Sequence, residues 1–187
     1  LTSGGDCPGL NAVIRAVVRK VERVHGGSVL GFHDAWRGVM DDDWEPLDVQ
    51  RCRGILPRGG TILGTSRVQP YQFPDGVEKV HAAMQHHELD GFVVVGGDGS
   101  LSAARDLQVD GINCVGVPKT IDNDIAATEM TFGFDTAVHV ATAAIDRLHT
   151  TAEAHDRVMV VEVMGRGAGH IAVRAGIAGG STMTLIP

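Results

Sequence analysis

Apolar positions recur at three- and four-residue intervals through Leu10, Val13, Ile14, Val17, Val18, Val21 and Val24. This spacing places them on one helix face, and it is the clearest helical stripe in the chain. Similar faces follow at Val77, Val80 and Met84, opened by Pro74-Asp75-Gly76, and at Val138, Ala141, Ile145 and Leu148. Short apolar runs at 92–95, 114–117 and 158–163, with another at 28–32, read instead as strands. Trp36-Arg37-Gly38 is expected in the loop after 28–32. A helix is expected over 100–107, and a Gly- and Ala-rich one ending near Gly179-Gly180. Strand and helix therefore alternate, which predicts an α/β fold of largely parallel, helix-covered sheets with ligands at the strands' C-terminal ends.

Those strand ends carry the chemistry. The run at 92–95 breaks into Gly96-Gly97-Asp98-Gly99-Ser100 just before a helix. Free main-chain N–H groups at such a terminus attract phosphate, and glycines let it approach. Asp98 would repel that phosphate unless a divalent cation bridged the two, so it reads as a magnesium anchor. The run at 114–117 exits into Pro118-Lys119-Thr120-Ile121-Asp122-Asn123-Asp124, a base, a hydroxyl and two carboxylates. Two more glycine loops occur, Thr2-Ser3-Gly4-Gly5-Asp6 and Arg58-Gly59-Gly60-Thr61, the latter continuing to Arg67. The second is either a flexible connection or an anion clamp, since arginines among glycines suit planar anions.

Other groups read more plainly. Arg15 and Arg19 lie off the first helical stripe, as a solvated face or an anion site. Asp41-Asp42-Asp43 reads as a solvated turn. His81, His86 and His87 lack H-E-x-x-H spacing and read as surface residues. The P-loop pattern is absent, and Gly165-Arg166-Gly167-Ala168-Gly169 fails as a dinucleotide fingerprint because His170 replaces the last glycine.

Composition narrows the field. With 187 residues, 43% of them hydrophobic, the chain can bury one good core or one core plus part of another. A net charge of −7 with no Lys/Arg run argues against a nucleic-acid binder. Three widely spaced cysteines support neither a disulfide framework nor zinc, so a cytoplasmic location is expected. No apolar run approaches the ~18 residues that span a bilayer, and no membrane partner is expected. Leu1 runs at once into a glycine loop and Thr184-Leu185-Ile186-Pro187 reads as the interior of an element, so the chain is expected to be truncated at both ends.

Five motifs in order, beginning Thr2-Ser3-Gly4-Gly5-Asp6, Gly59-Gly60-Thr61, Gly96-Gly97-Asp98-Gly99-Ser100, Thr120-Ile121-Asp122-Asn123-Asp124 and Val161-Glu162-Val163-Met164-Gly165-Arg166, give the chain an end-to-end resemblance to 6-phosphofructokinase. The resemblance implies a two-domain architecture, with 1–133 part of the ATP- and magnesium-binding domain and 134–187 the start of the sugar-phosphate domain. It implies transfer of a phosphoryl group from Mg-ATP to the 1-hydroxyl of fructose 6-phosphate. Gly4, Gly5, Arg67, Val68, Gly97, Asp98, Gly99 and Ser100 would cradle the nucleotide, with Asp98 and Asp124 at the Mg2+. Asp122 would be the catalytic base, aided by Thr120, Lys119 and Arg166. Thr120, Ile121, Asp122, Met164, Gly165 and Arg166 would contact the sugar, as would Arg157 from a neighbouring subunit, in keeping with a homotetramer whose sites are shared across a dimer interface. Arg15 and Arg19 match positions near the effector site of some bacterial members.

The donor markers conflict. Gly99 is typical of ATP users and Lys119 of pyrophosphate users. Glycine at 99 leaves room for the α-phosphate of a nucleotide, so ATP is expected and pyrophosphate is the alternative. A truncated, non-catalytic nucleotide-binding chain is a further alternative, because family members continue into a second half.

Overall fold

A computed structural model of the protein describes all 187 residues. It divides into two compact units, Leu1–Lys119 and Thr120–Pro187. This division by compactness lies upstream of the ligand-based one expected at residue 133.

In the first unit, β3 (Phe92–Gly96) and β4 (Cys114–Thr120) pair in parallel, with Phe92 opposite Cys114 and Gly96 opposite Pro118. Helix α4 (Asp98–Val109) makes the crossover. Thr2 forms a parallel bridge to Val95, with the Ser3 N–H donating to the Val95 carbonyl at 2.8 Å and the Val95 N–H to the Leu1 carbonyl at 3.0 Å. Strand β3 therefore has neighbours on both edges. Its run of valines is buried on both faces, as a parallel strand requires. The main core joins Val94 and Phe92 to Phe32, Trp36, Val80 and Leu107. A second cluster packs Ile14 and Val18 of α1 (Leu10–Lys20) against Leu47, Cys52, Ile55 and Leu63. Helix α1 ends in a π-helical turn, Val21–His25.

Three features depart from the sequence reading. Strand β1 (Val29–Phe32) pairs antiparallel with β2 (Trp44–Leu47), a strand the hydrophobic pattern did not reveal. Between them Trp36–Asp41 is a helix, α2, not a loop. Trp36, Val39 and Met40 share its inner face, and burial of Trp36 and Val39 stabilises a helix too short to form alone. Gly38 is where this helix crosses the chain closely: a Cβ there would come within 2.0 Å of the His33 carbonyl oxygen. Finally, His87 is not a free surface residue. It follows α3 (Gly76–His86), its side chain is only 9% exposed, and it meets Asp42 at 2.6 Å between the rings of Phe32 and Trp44.

The second unit packs α5 (Phe134–Ala154) on α6 (His170–Ala178), after a two-residue strand, β5 (Phe132–Gly133). Phe134 is buried, with the Arg174 guanidinium 5.2 Å from its ring centre. His149 on α5 donates to the Gly179 carbonyl at 2.6 Å and fixes the end of α6. The strand expected at 158–163 is absent. Val158 and Val160 are 92% and 91% exposed, and no neighbouring strand supplies the ladder that would hold the segment flat.

Candidate active site

The first unit gathers three glycine-bearing segments around the exits of β3 and β4. Gly4 and Gly9 take positive φ values of 91° and 95°, and Gly9 caps α1. That lets the 2–9 loop turn tightly between the strand-like Thr2 and the helix. The loop at 58–67 is pinned to it, not flexible. Asn11, fully buried, donates to the carbonyls of Arg58 and Gly59 at 3.0 and 3.2 Å and accepts the Ile62 N–H at 2.8 Å. The Thr2 hydroxyl donates to the Gly64 carbonyl at 2.8 Å, the Thr65 hydroxyl to the Gly4 carbonyl at 2.7 Å, and the Gly4 N–H to the Ser66 carbonyl at 2.8 Å.

The third segment is the start of α4. Gly97 is its N-cap and Asp98 and Gly99 occupy the first turn, where main-chain N–H groups have no intrahelical acceptor. Ser100 is turned inward: its N–H donates to the Gly97 carbonyl at 3.0 Å and its hydroxyl to Ser3 Oγ at 2.9 Å. It shapes the loop from beneath, and Gly96 must be glycine because a Cβ would lie 2.4 Å from Ser100 Cβ. Gln69 borders the outside, donating to the Gly99 carbonyl at 3.1 Å. Arg67 is exposed beside half-buried Val68.

Lys119, 4% exposed, reaches under the first loop, and its Nζ donates to the Gly5 carbonyl at 2.6 Å. Burial lowers its pKa, and the nearby charges of Cys7 and Asp6 act the other way. A buried ammonium below two glycine turns is a fixed positive charge where a phosphate would sit. Asp98 fits a magnesium site, being an exposed carboxylate without a protein partner beside free amides. Mg2+ is commonly held by one or two carboxylates together with substrate phosphates.

The second unit supplies a separate cluster. Thr120 Oγ1 accepts the Asp122 N–H at 3.1 Å, and the Thr120 carbonyl accepts the Thr131 hydroxyl at 2.6 Å. Asn123, at φ 52°, accepts the Thr131 N–H at 2.9 Å and closes the neck of the loop. Asp122 is half-buried. Burial raises its pKa, as does the negative charge of Asp124, while Arg166 opposes both. Asp122 is thus within electrostatic reach of a second carboxylate and of a guanidinium. Arg166 sits at φ 48° after Gly165 at φ 149°, in the turn before α6; Gly165 is buried, Met164 exposed and Ile121 half-buried. Arg157 stands apart, lining a shallow depression with His149, Glu153 and Asp156. Arg15 and Arg19 line a small cleft with Cys52 and Arg53.

Sequence reasoning missed the groups that hold these loops. Asn11 left one signal, a polar residue beside Leu10 on the buried side of an apolar stripe. Replacing Asn11 with alanine is expected to cost about 1–3 kcal/mol, because the Ile62 N–H and two carbonyls lose their partner. Urea unfolding checks this, and an unchanged midpoint would refute it.

The family model for phosphofructokinase matches residues 1–187. The chain belongs to the phosphofructokinase family. It is 59% identical over its whole length to a pyrophosphate–fructose 6-phosphate 1-phosphotransferase of Amycolatopsis methanolica. It is 56% identical over its whole length to ATP-dependent 6-phosphofructokinase 3 of Streptomyces coelicolor. The chain spans about half, 55%, of each of these relatives. Phosphofructokinase from Saccharomyces cerevisiae has the same architecture, with a TM-score of 0.87 and 33% identity over 94% of this chain and 27% of that one. Both kinds of donor occur among the names of phosphofructokinase relatives at similar identity, so kinship leaves the donor open.

Proposed function

We propose that the protein transfers a phosphoryl group to the 1-hydroxyl of fructose 6-phosphate, giving fructose 1,6-bisphosphate, with ATP as the preferred donor. The observation that carries this reading is Asp122, a half-buried carboxylate within electrostatic reach of a second carboxylate and Arg166, on a chain of this family. Its part is to orient the sugar hydroxyl and take its proton as the oxygen attacks. From their motifs Arg166 and Lys119 are each read as cations for the phosphoryl group, and Arg67, Gly4, Gly5, Val68 and the first turn of α4 as the groups that hold the rest of the donor. From their motifs Asp98 and Asp124 are each read as magnesium ligands, and Mg2+ when bound neutralises phosphate charge. Thr120, Ile121, Met164 and Gly165 line the sugar side. We assign 1–133 to the donor-binding part and 134–187 to the sugar-phosphate part.

Arg157, exposed and apart from Asp122, suits a role in a neighbouring subunit's site, and so a homotetramer with sites shared across a dimer interface. No helix is long and apolar enough to cross a membrane; the proposed setting is glycolysis in the cytoplasm. The cleft of Arg15 and Arg19 is the candidate effector site.

Two geometric points favour ATP. Lys119 is engaged beneath the loop by the Gly5 carbonyl, so it holds the cradle in place. At Gly99 a Cβ would touch only Gln69 Nε2, at 3.4 Å, so the outer side is open to a longer donor. Pyrophosphate is the second reading, favoured by Lys119 itself and by the Amycolatopsis relative's name.

The test compares magnesium-dependent turnover of the complete protein with ATP and with pyrophosphate, beside Gly99→Asp. Turnover with ATP is expected. The variant should lose about a hundredfold in kcat/KM for ATP, since a like charge facing a phosphate costs several kcal/mol. Turnover with pyrophosphate alone would overturn the donor assignment, and none with either donor would leave the binding-only reading.

A further inference from the structure

We infer that Asp42, His86 and His87 form a binding site for one divalent transition-metal ion of the zinc class, separate from the phosphate-binding magnesium. The three residues each offer one ligand atom, and those atoms lie within 4.8 Å of one another. They come from two helix ends. Asp42 caps the C-terminus of α2 in the left-handed conformation, φ 58°, and His86 and His87 close α3. Unpaired carbonyls make both ends partially negative, which favours a cation over an anion.

The cluster is held in place. His87 is packed edge-on against Phe32 and Trp44, with ring centres 6.1 and 5.0 Å away, and is largely withdrawn from water. Such support around a ligand is what fixes its direction toward a metal. His86 lies exposed with its ring centre 4.7 Å from that of His87.

The fit requires two small movements, an opening of the His87–Asp42 pair and a closing of the exposed His86, whose ligand atom lies within 4.8 Å of the other two. His87 Nε2 and Asp42 Oδ1 are 2.6 Å apart, a hydrogen bond. Ligand atoms around a tetrahedral zinc, each about 2.0–2.1 Å from it, stand roughly 3.3 Å apart. The pair must open by under 1 Å, and the shared proton is released to solvent as the ion enters. Two imidazoles and one carboxylate leave the remaining positions to water. That donor set prefers zinc, cobalt, nickel or copper to magnesium, which takes oxygen ligands. A bound ion would clip the end of α2 to the end of α3. An ordinary ion pair between His87 and Asp42 would need nothing from His86, and this distinguishes the two readings.

The experiment titrates the chelator-treated complete protein with Co2+, following its visible absorption, and then displaces the ion with Zn2+. The wild type is expected to bind one ion per chain, with a spectrum unaffected by millimolar Mg2+. His86→Ala and Asp42→Asn should each weaken binding at least tenfold, while His81→Ala leaves it unchanged. Zn2+ should raise the melting temperature of the wild type and not of His86→Ala. Since His86 is exposed, its removal leaves the fold intact, so that variant decides. Binding as tight in His86→Ala as in the wild type, or no saturable site in the wild type, would overturn the assignment.

Discussion

Replacing Asp122 with asparagine is expected to lower kcat for the proposed phosphorylation of fructose 6-phosphate by about a hundred- to ten-thousand-fold, the usual worth of a positioned general base. The local geometry survives the change. The loop is held by main-chain and neighbouring groups, the Asp122 N–H on Thr120 and the Asn123–Thr131 closure, and none of these uses the carboxylate. The KM for the sugar should therefore stay within a few-fold, a pattern that marks an interaction made in the transition state. The pH profile gives a second check. Burial and Asp124 raise the Asp122 pKa, and the base works only when deprotonated. Activity should thus fall on the acid side at a pH above that of an ordinary aspartate, and this limb should vanish in the variant. A variant retaining more than about a tenth of wild-type kcat would remove Asp122 from the role of base.

The second large effect is expected at Lys119. Its methionine variant should lose about a hundred- to a thousandfold in kcat/KM for the phosphoryl donor, comparable with removal of one preorganised donor from a charge-stabilising site. The ammonium is 4% exposed and anchors the Gly5 carbonyl at 2.6 Å, so its loss removes a positive charge and releases the turn it holds. Arginine should not restore the activity. At Gly4 an added Cβ would already lie 3.4 Å from Nζ, which leaves a larger planar head little room. Steady-state kinetics with donor and sugar varied separately check this. Unchanged donor kinetics alongside a lowered melting temperature would reduce Lys119 to a structural group.

The β-strand and helix periods of the first unit were legible because burial there is strong and local. The valines of β3 and the stripe of α1 lie on packed faces, and the glycine break at 96–99 marks the strand-to-helix turn. Trp36–Asp41 was not read as a helix, since six residues carry too little periodicity and their stability comes from the core they enter. The motif residues were visible, but their fastening was not. Lys119 meets Gly5 across 114 residues and Ser100 meets Ser3 across 97, contacts that no local spacing encodes. Lys119 reads from the sequence as a cation for phosphate, and the fold adds that its ammonium first organises the loop. Asp122 was legible as a carboxylate in a turn; its raised pKa depends on the burial that only folding supplies, and Arg166, which folding also brings near, opposes the rise.

The stretch at 158–163 failed as a strand for a reason with its own consequence. Five of its six side chains are Val or Met, and it lies open to water with no ladder on either side. Such a segment is a template for adding strands from other chains, the step from which aggregates grow. Asp156, Arg157, Glu162 and Arg166 flank or interrupt it, and their charges act as gatekeepers. Solubility and the proposed sugar-phosphate contacts thus draw on some of the same side chains, so neutralising Arg157 or Arg166 strips protection from an exposed apolar segment.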